Sequence, residues 1–171
     1  MRRVLLFFGG GDAFDVTTRA IEAIDLLPPA DVLFDVVVGA GNQRARAISE
    51  RVGRMPKVKY HVQTDRMAAL MANADISVGA GGIAIWERCC VGLPALIVVT
   101  AENQRGVVKE ATESGLCRDI GDASEITPVT IAAALDDALS GRLNIVEMSR
   151  KALSITDGAG ASRVAELMLA A

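Results

Sequence analysis

Two hydrophobic patterns alternate along this chain. Short apolar runs, each bounded by Gly, Pro or polar residues, fall at Val4–Phe8, Leu33–Val38, Val58–His61, Ile76–Val78 and Ala95–Val99, with a weaker sixth at Cys117–Ile120. Runs of this length and composition predict β-strands. Between them the apolar positions recur every three to four residues, the period of a helix with one buried face. Ala20, Ile21, Ile24 and Leu27 share one face of a helix that Asp15 is placed to cap and Pro28-Pro29 stops. Ala45, Ile48 and Val52 make a second stripe, and Met67, Leu70, Met71 and Ala74 a third that Thr64 is expected to cap. A fourth helix is predicted from about Ile83 to Cys90 and a fifth over about Gln104–Ser114, closed by Gly115. Thr127-Pro128 reads as an N-cap followed by proline in the first turn. From there the pattern is helical to the end, with breaks near Ser140-Gly141 and at Asp157–Gly160.

Strands that alternate with helices at this spacing predict one α/β domain over residues 1–171, a Rossmann-like, doubly wound parallel sheet of about six strands with helices at its C-terminal end. Ligands of such sheets bind outside the carboxyl ends of the strands. The residues following each strand therefore carry the functional signal. They are Gly9-Gly10-Gly11-Asp12, Gly39-Ala40-Gly41-Asn42, His61-Val62-Gln63-Thr64, Gly79-Ala80-Gly81-Gly82 and Ala101-Glu102-Asn103-Gln104. Any one of them is ordinary turn chemistry, but five on one edge have the composition of a binding rim.

The fourth loop is the sharpest, because Gly81-Gly82 lead straight into a helix, where free N–H groups favour phosphate. Glu87 follows about one turn later, where a carboxylate can accept two hydrogen bonds from a ribose diol or simply favour the helix's N-terminal half. The first loop is not a dinucleotide fingerprint. G-x-G-x-x-G would require glycine where Phe14 stands, and no acidic residue closes the second strand, since Val38 runs into Gly39. His61, the single histidine, reads either as a satisfied core residue or as a polar group lining the site. Cys89 and Cys90 fall inside a predicted helix and read as small core residues. The basic run from Arg44 to Lys59 reads as a solvated face, and Trp86 as core or interface.

Composition narrows the classes. Hydrophobic residues at 51% exclude a disordered chain. Lys and Arg number 18 against 21 Asp and Glu, a net charge of −3, which argues against nucleic acid or an anionic membrane as partner. Three cysteines build no disulfide framework, so a reducing, cytoplasmic setting is expected. One histidine and scattered cysteines offer no metal-ligand spacing, and neither a metal nor another cofactor is expected. No apolar run is long enough to span a membrane.

The residues Gly79-Ala80-Gly81-Gly82, Trp86-Glu87-Arg88-Cys89-Cys90-Val91-Gly92-Leu93-Pro94 and Glu102-Asn103-Gln104 resemble the C-terminal half of the UDP-sugar hydrolases of pseudaminic acid biosynthesis. These are GT-B proteins related to the peptidoglycan N-acetylglucosaminyltransferases. The likeness extends through Gly9–Asp12, Gly39–Asn42, His61 and Asp157–Gly160 with Arg163-Val164, nearly the whole chain. The resemblance implies a nucleotide-sugar-binding domain whose partner is UDP or a UDP-sugar. It implies that Gly9, Gly10, Gly11, Gly81, Gly82 and Ile83 face the diphosphate, and that Glu87 holds the ribose. It further implies that the backbone of His61 and Val62 borders uracil, and that Asn103 and Gln104 reach the sugar. The family pattern has hydroxyl residues where this chain has Ile83-Ala84-Ile85, so side-chain oxygens for the phosphates are missing. The family's N-terminal domain, which carries the catalytic histidine, has no counterpart in these residues. The chain alone is therefore expected to be inactive and to offer an interdomain face to a separate domain or to another copy. The donor-binding domain of a related glycosyltransferase and a stand-alone binding module remain open as other readings.

Overall fold

The structure is a computed structural model that describes residues 2–170. Six strands alternate with helices: β1 (Arg2–Phe7), α1 (Val16–Leu26), β2 (Val32–Val38), α2 (Ala45–Val52), β3 (Val58–Val62), α3 (Met67–Asn73), β4 (Ile76–Ala80), α4 (Ala84–Cys90), β5 (Ala95–Val99), α5 (Arg105–Glu113) and β6 (Arg118–Asp122). Three helices close the chain, α6 (Pro128–Leu139), α7 (Ile145–Ile155) and α8 (Gly160–Ala170). All strand pairs are parallel and the spatial order is β3-β2-β1-β4-β5-β6. The chain winds outward from β1 in one direction and from β4 in the other, so the strand order reverses between these two central strands. That reversal leaves a crevice at their carboxyl ends.

Alternation along each strand divides the core between the two faces of the sheet. Val4, Leu6 and Phe8 of the β1 segment join Val36, Val78, Leu96 and Val98 beneath α1 and α6. On the opposite face Leu5 and Val37 pack with Met71 of α3 and Leu93. Ile97 and Val99 pack there with Ile85 and Cys89 of α4 and Val108 of α5. β5 is buried at every position, as expected of a strand covered on both faces.

The predicted start of α6 is present: Thr127 accepts a hydrogen bond from the Thr130 amide, and Pro128 opens the helix. Two other expected caps are not. Asp15 lies in the left-handed region (φ 56°) without a side-chain cap bond, and Asp12 takes its place. Thr64 accepts from the Arg66 amide within a turn, and α3 begins only at Met67. α7 lies along α4, with Leu153 filling the space that a Cβ at Gly92 (φ 64°) would enter. α8 buries no residue, and Leu167, Met168 and Leu169 are largely exposed. Among the described residues, no helix is long and apolar enough to cross a membrane.

Candidate functional site at the sheet reversal

The loops at the carboxyl edge are built against one another through glycines. Behind β1, Gly9 takes φ 90°, and Gly9, Gly10 and Gly11 all have open space on their Cβ side. A Cβ at Gly39, in the loop behind β2, would come within 2.5 Å of the Gly10 Cα and carbonyl oxygen, so these loops touch backbone to backbone. The loop behind β3 is tied in by Gln63. Its amide donates to the Val38 carbonyl at 2.9 Å, and its side-chain oxygen accepts from the Ala40 amide at 3.1 Å.

The loop behind β4 is held from both sides. A Cβ at Gly81 would lie 2.3 Å from Cγ2 of Val108 and 3.1 Å from Cγ2 of Ile97, so this glycine lets β4 and α5 approach closely. Gly82 is roomier and looks onto the Gln104 amide nitrogen. The Gln104 side-chain oxygen accepts from both the Thr100 amide (3.0 Å) and its hydroxyl (3.1 Å). Thr100 thereby fixes the orientation of the amide and leaves its NH2 as the donor facing Gly82. The structure thus brings the β4 loop and Gln104 together across neighbouring strands, although 22 positions separate Gly82 from Gln104.

The other expected positions vary. Glu87 and Asn103 are exposed at this edge, Asn103 in a single 3-10 turn leading into α5. Ile83 is 79% exposed and directs its apolar side chain into solvent beside Gly82. α4 has only seven residues, so few aligned peptide dipoles stand behind its N-terminus. Val62 is half-exposed at the end of edge strand β3, two strands from β1. A small pocket of about 170 Å³ opens on the same edge among Phe14, Thr100, Glu102, Arg105 and Asp122. A wider apolar cavity of about 350 Å³ lies at the opposite edge, among Ile24, Leu27, Pro28, Val32 and Leu139, and holds none of the rim's polar groups.

Three charged residues to which the sequence alone assigns no role shape the electrostatics. Asp12 is buried, and its two carboxylate oxygens accept from the Val16 (2.9 Å) and Thr17 (2.8 Å) amides. The N-terminus of α1 is therefore already filled by an anion of the chain itself. Asp35, buried in the middle of β2, lies 2.8 Å from Nε2 of His61 and pairs with Nε of Arg3 at 2.8 Å. His61 thus has a carboxylate partner, but the group sits on the α3 face of the sheet. There it lines a cavity of about 230 Å³ with Arg3, Lys59, Arg66 and Leu70. Arg88 is 1% exposed on the inner face of α4, and its Nη1 donates to the Ala80 carbonyl at 3.1 Å. The sequence signal for Arg88 was its place with Ile85 and Cys89 on one helical face. For Asp35 it was a lone acid inside an apolar strand.

Two of the three thiols are poorly placed for nucleophilic chemistry. Burial pushes the Cys89 thiol up to about 11 and raises Cys117 as well, so both stay protonated at neutral pH. Trp86 is 42% exposed rather than core, and Cys90 is half-buried. Among the described residues, no group of three or more His, Cys, Asp or Glu side chains is placed to hold a metal ion.

Residues 4–168 match the glycosyltransferase family 28 C-terminal domain. The spore coat polysaccharide biosynthesis protein SpsG of Bacillus subtilis (strain 168) is 27% identical over 168 residues, which cover 98% of this chain and 50% of that protein. A UDP-N-acetylglucosamine–N-acetylmuramyl-(pentapeptide) pyrophosphoryl-undecaprenol N-acetylglucosamine transferase of Clavibacter sepedonicus is 36% identical over 120 residues, 64% of this chain and 31% of the transferase. Among solved structures, MurG of Acinetobacter baumannii superimposes with a TM-score of 0.72 at 20% identity, over 99% of this chain and 50% of that one. A putative UDP-N-acetylglucosamine 2-epimerase from Listeria monocytogenes superimposes at 0.75 with 16% identity, over 95% of this chain and 43% of that one. These superpositions establish the fold, that of a GT-B C-terminal domain. The chain spans about half the length of SpsG, and 98% of its own residues take part in that match. With the reversed strand order, the glycine-lined rim and a family match from residue 4 to residue 168, the chain belongs to the glycosyltransferase family 28 C-terminal domain family.

Proposed function

We propose that the chain is the nucleotide-sugar-binding half of a two-domain enzyme, and that its ligand is UDP or a UDP-sugar. The observation that carries this reading is the meeting of Gly82, behind β4, with the pinned Gln104 amide, behind β5, next to the sheet reversal. Open backbone at Gly9–Gly11 follows the neighbouring strand β1, and Glu87 is exposed on α4. In this reading Gly9, Gly10, Gly11, Gly81, Gly82 and Ile83 border the diphosphate through their backbone, and Glu87 accepts from the ribose hydroxyls. The end of β3 at His61 and Val62 borders uracil, about two strand spacings or 10 Å from β1. Asn103 and the free Gln104 NH2 reach the sugar.

The reaction class proposed is hydrolysis of a UDP-sugar in the making of a sialic-acid-like sugar of the pseudaminic type. It rests on the Trp86–Cys90 run followed by Glu102-Asn103-Gln104. A second reading, the donor domain of a glycosyltransferase, is favoured by the 36% identity to the N-acetylglucosamine transferase. Under both, the group that activates the attacking oxygen is supplied by another domain. His61 does not serve, because its carboxylate partner is shared with Arg3 on the α3 face.

Titration calorimetry with UDP and NAD tests the ligand. UDP is expected to bind more tightly, and tighter binding of NAD refutes the assignment. Glu87→Ala removes a charge-assisted contact worth about 1.5–3 kcal/mol, so UDP affinity is expected to fall about tenfold or more. The melting temperature should hold, because Glu87 is exposed. UDP release from a diacetamido-trideoxy UDP-sugar by the purified chain is expected to be nil. Multiple turnover abolished by His61→Ala would show that this half carries its own base.

A further inference from the structure

Arg88 has no role in the reading above, yet its burial is left largely uncompensated. Its guanidinium is buried, and of its three nitrogens only Nη1 has a hydrogen-bond partner; Nε and Nη2 have none. Among the described residues no carboxylate pairs with it within salt-bridge distance. A buried cation left this way is costly unless something compensates it. Burial is the larger effect and lowers its pKa to about 10, against the opposing charges of Glu87, Cys117 and Cys89, so it stays charged at neutral pH. Room for it is made at Gly79, where a Cβ would lie 2.1 Å from Nη2 and 2.3 Å from the Phe7 carbonyl oxygen. Gly79 is the β4 residue paired with Phe7 of β1, so the guanidinium lies over the reversal point itself. Its one bond goes to Ala80, which leads the chain into Gly81-Gly82.

The charge of the crevice is therefore uneven. The β1 side carries the Asp12 carboxylate, already satisfied by two amides, and the β4 side carries the uncompensated guanidinium. We propose that Arg88 is a positioning residue that fixes the Ala80 carbonyl and sets a buried positive charge behind the Gly79–Gly82 loop, so that this loop selects the diphosphate of a nucleotide ligand over the uncharged nucleoside. The inference rests on the nucleotide reading given above. Arg88 does not touch the ligand. It acts through the loop backbone and through space, where a buried charge is screened little by salt.

The test compares UDP with uridine, by calorimetry for the first and ligand-observed NMR for the second, on the wild-type chain, Arg88→Met and Arg88→Lys. Arg88→Met is expected to weaken UDP tenfold or more while changing uridine less than twofold. Arg88→Lys is expected to keep the UDP-to-uridine ratio within about threefold of wild type, because the charge is retained. An equal loss for both ligands in Arg88→Met, or an unchanged UDP affinity, overturns the proposal while the nucleotide reading stands. A wild-type chain that binds neither ligand overturns both. Should Arg88→Met fail to fold, Arg88→Lys decides, and a ratio that collapses despite the retained charge overturns the proposal.

Discussion

Removing the Asp12 carboxylate should be among the more damaging single changes on the carboxyl edge. Its oxygens accept from the amides of Val16 and Thr17, and those residues are 0% and 1% exposed. Water has no easy route to either donor once the acceptor is gone. A buried donor left without a partner costs about 1–3 kcal/mol, so Asp12→Ala, which strands two, is expected to cost about 2–6 kcal/mol. Asp12→Asn keeps one acceptor oxygen but turns its NH2 towards the second amide, so it should recover only part of that. Asp15→Ala serves as the control, since Asp15 accepts from no backbone amide of the helix and loses only the Thr18 hydroxyl (2.6 Å) and the exposed Arg44 pair. Urea unfolding reads all three as shifts of midpoint at constant slope. In a domain of this size each kcal/mol moves the melting temperature by about 2–4 °C. If Asp12→Ala fell within 0.5 kcal/mol of wild type, or Asp15→Ala cost as much, the capping argument would be wrong.

Two further outcomes follow from geometry and charge. Gly81→Ala sets a Cβ 2.3 Å from Val108 Cγ2, and is expected to cost about 1–3 kcal/mol of overpacking in a chemical melt, whereas Gly10→Ala, with open space at its Cβ, should cost far less. Asp137 is held below the usual carboxylate range by hydrogen bonds from Arg142 and then Arg118. Its contribution is therefore present above its unfolded pKa of 3.8 and is lost as pH falls through the lower folded value. Asp137→Asn should flatten that acid limb in pH-dependent unfolding and leave the neutral region with a constant offset.

β1, β2, β4 and β5 were legible because each is built on an apolar run cut off by glycine, proline or polar residues; the edge strands β3 and β6 carry polar and charged residues and gave a weaker signal, yet no strand end moved by more than two residues. The Thr127-Pro128 start was legible because capping is local chemistry. The caps of α1 and α3 were not. Asp12 and Asp15 both precede the first apolar stripe, and only the left-handed turn at residues 12 and 15 (φ 43° and 56°) decides which carboxylate meets the amides. The rim was readable as a set of loops on one edge, since sheet topology alone places the residues that follow parallel strands. Which of them touch was not readable, because the approach of Gly82 to Gln104 depends on β4 and β5 being neighbours in register. Arg88 escaped for a related reason. An arginine in a helix is normally solvated, and only the absent side chain at Gly79 gives it space to lie inward.

The reversed strand order also divides the domain for folding. β1 to β3 can form one parallel unit and β4 to β6 another. Within the sheet they are sewn together by a single ladder, Val4 to Phe7 against Ile76 to Gly79, and behind it α6 returns across the boundary to pack on α1. That ladder closes a loop of about seventy residues, so it belongs to the slower, long-range part of assembly. The crevice does not exist until this closure is made. A ligand lodged there bridges the two units and stabilises only the joined state, raising overall stability with concentration by mass action. Occupancy of the rim and integrity of the central seam are thus one equilibrium, and slower opening of the β1–β4 amides to hydrogen exchange would report a filled site.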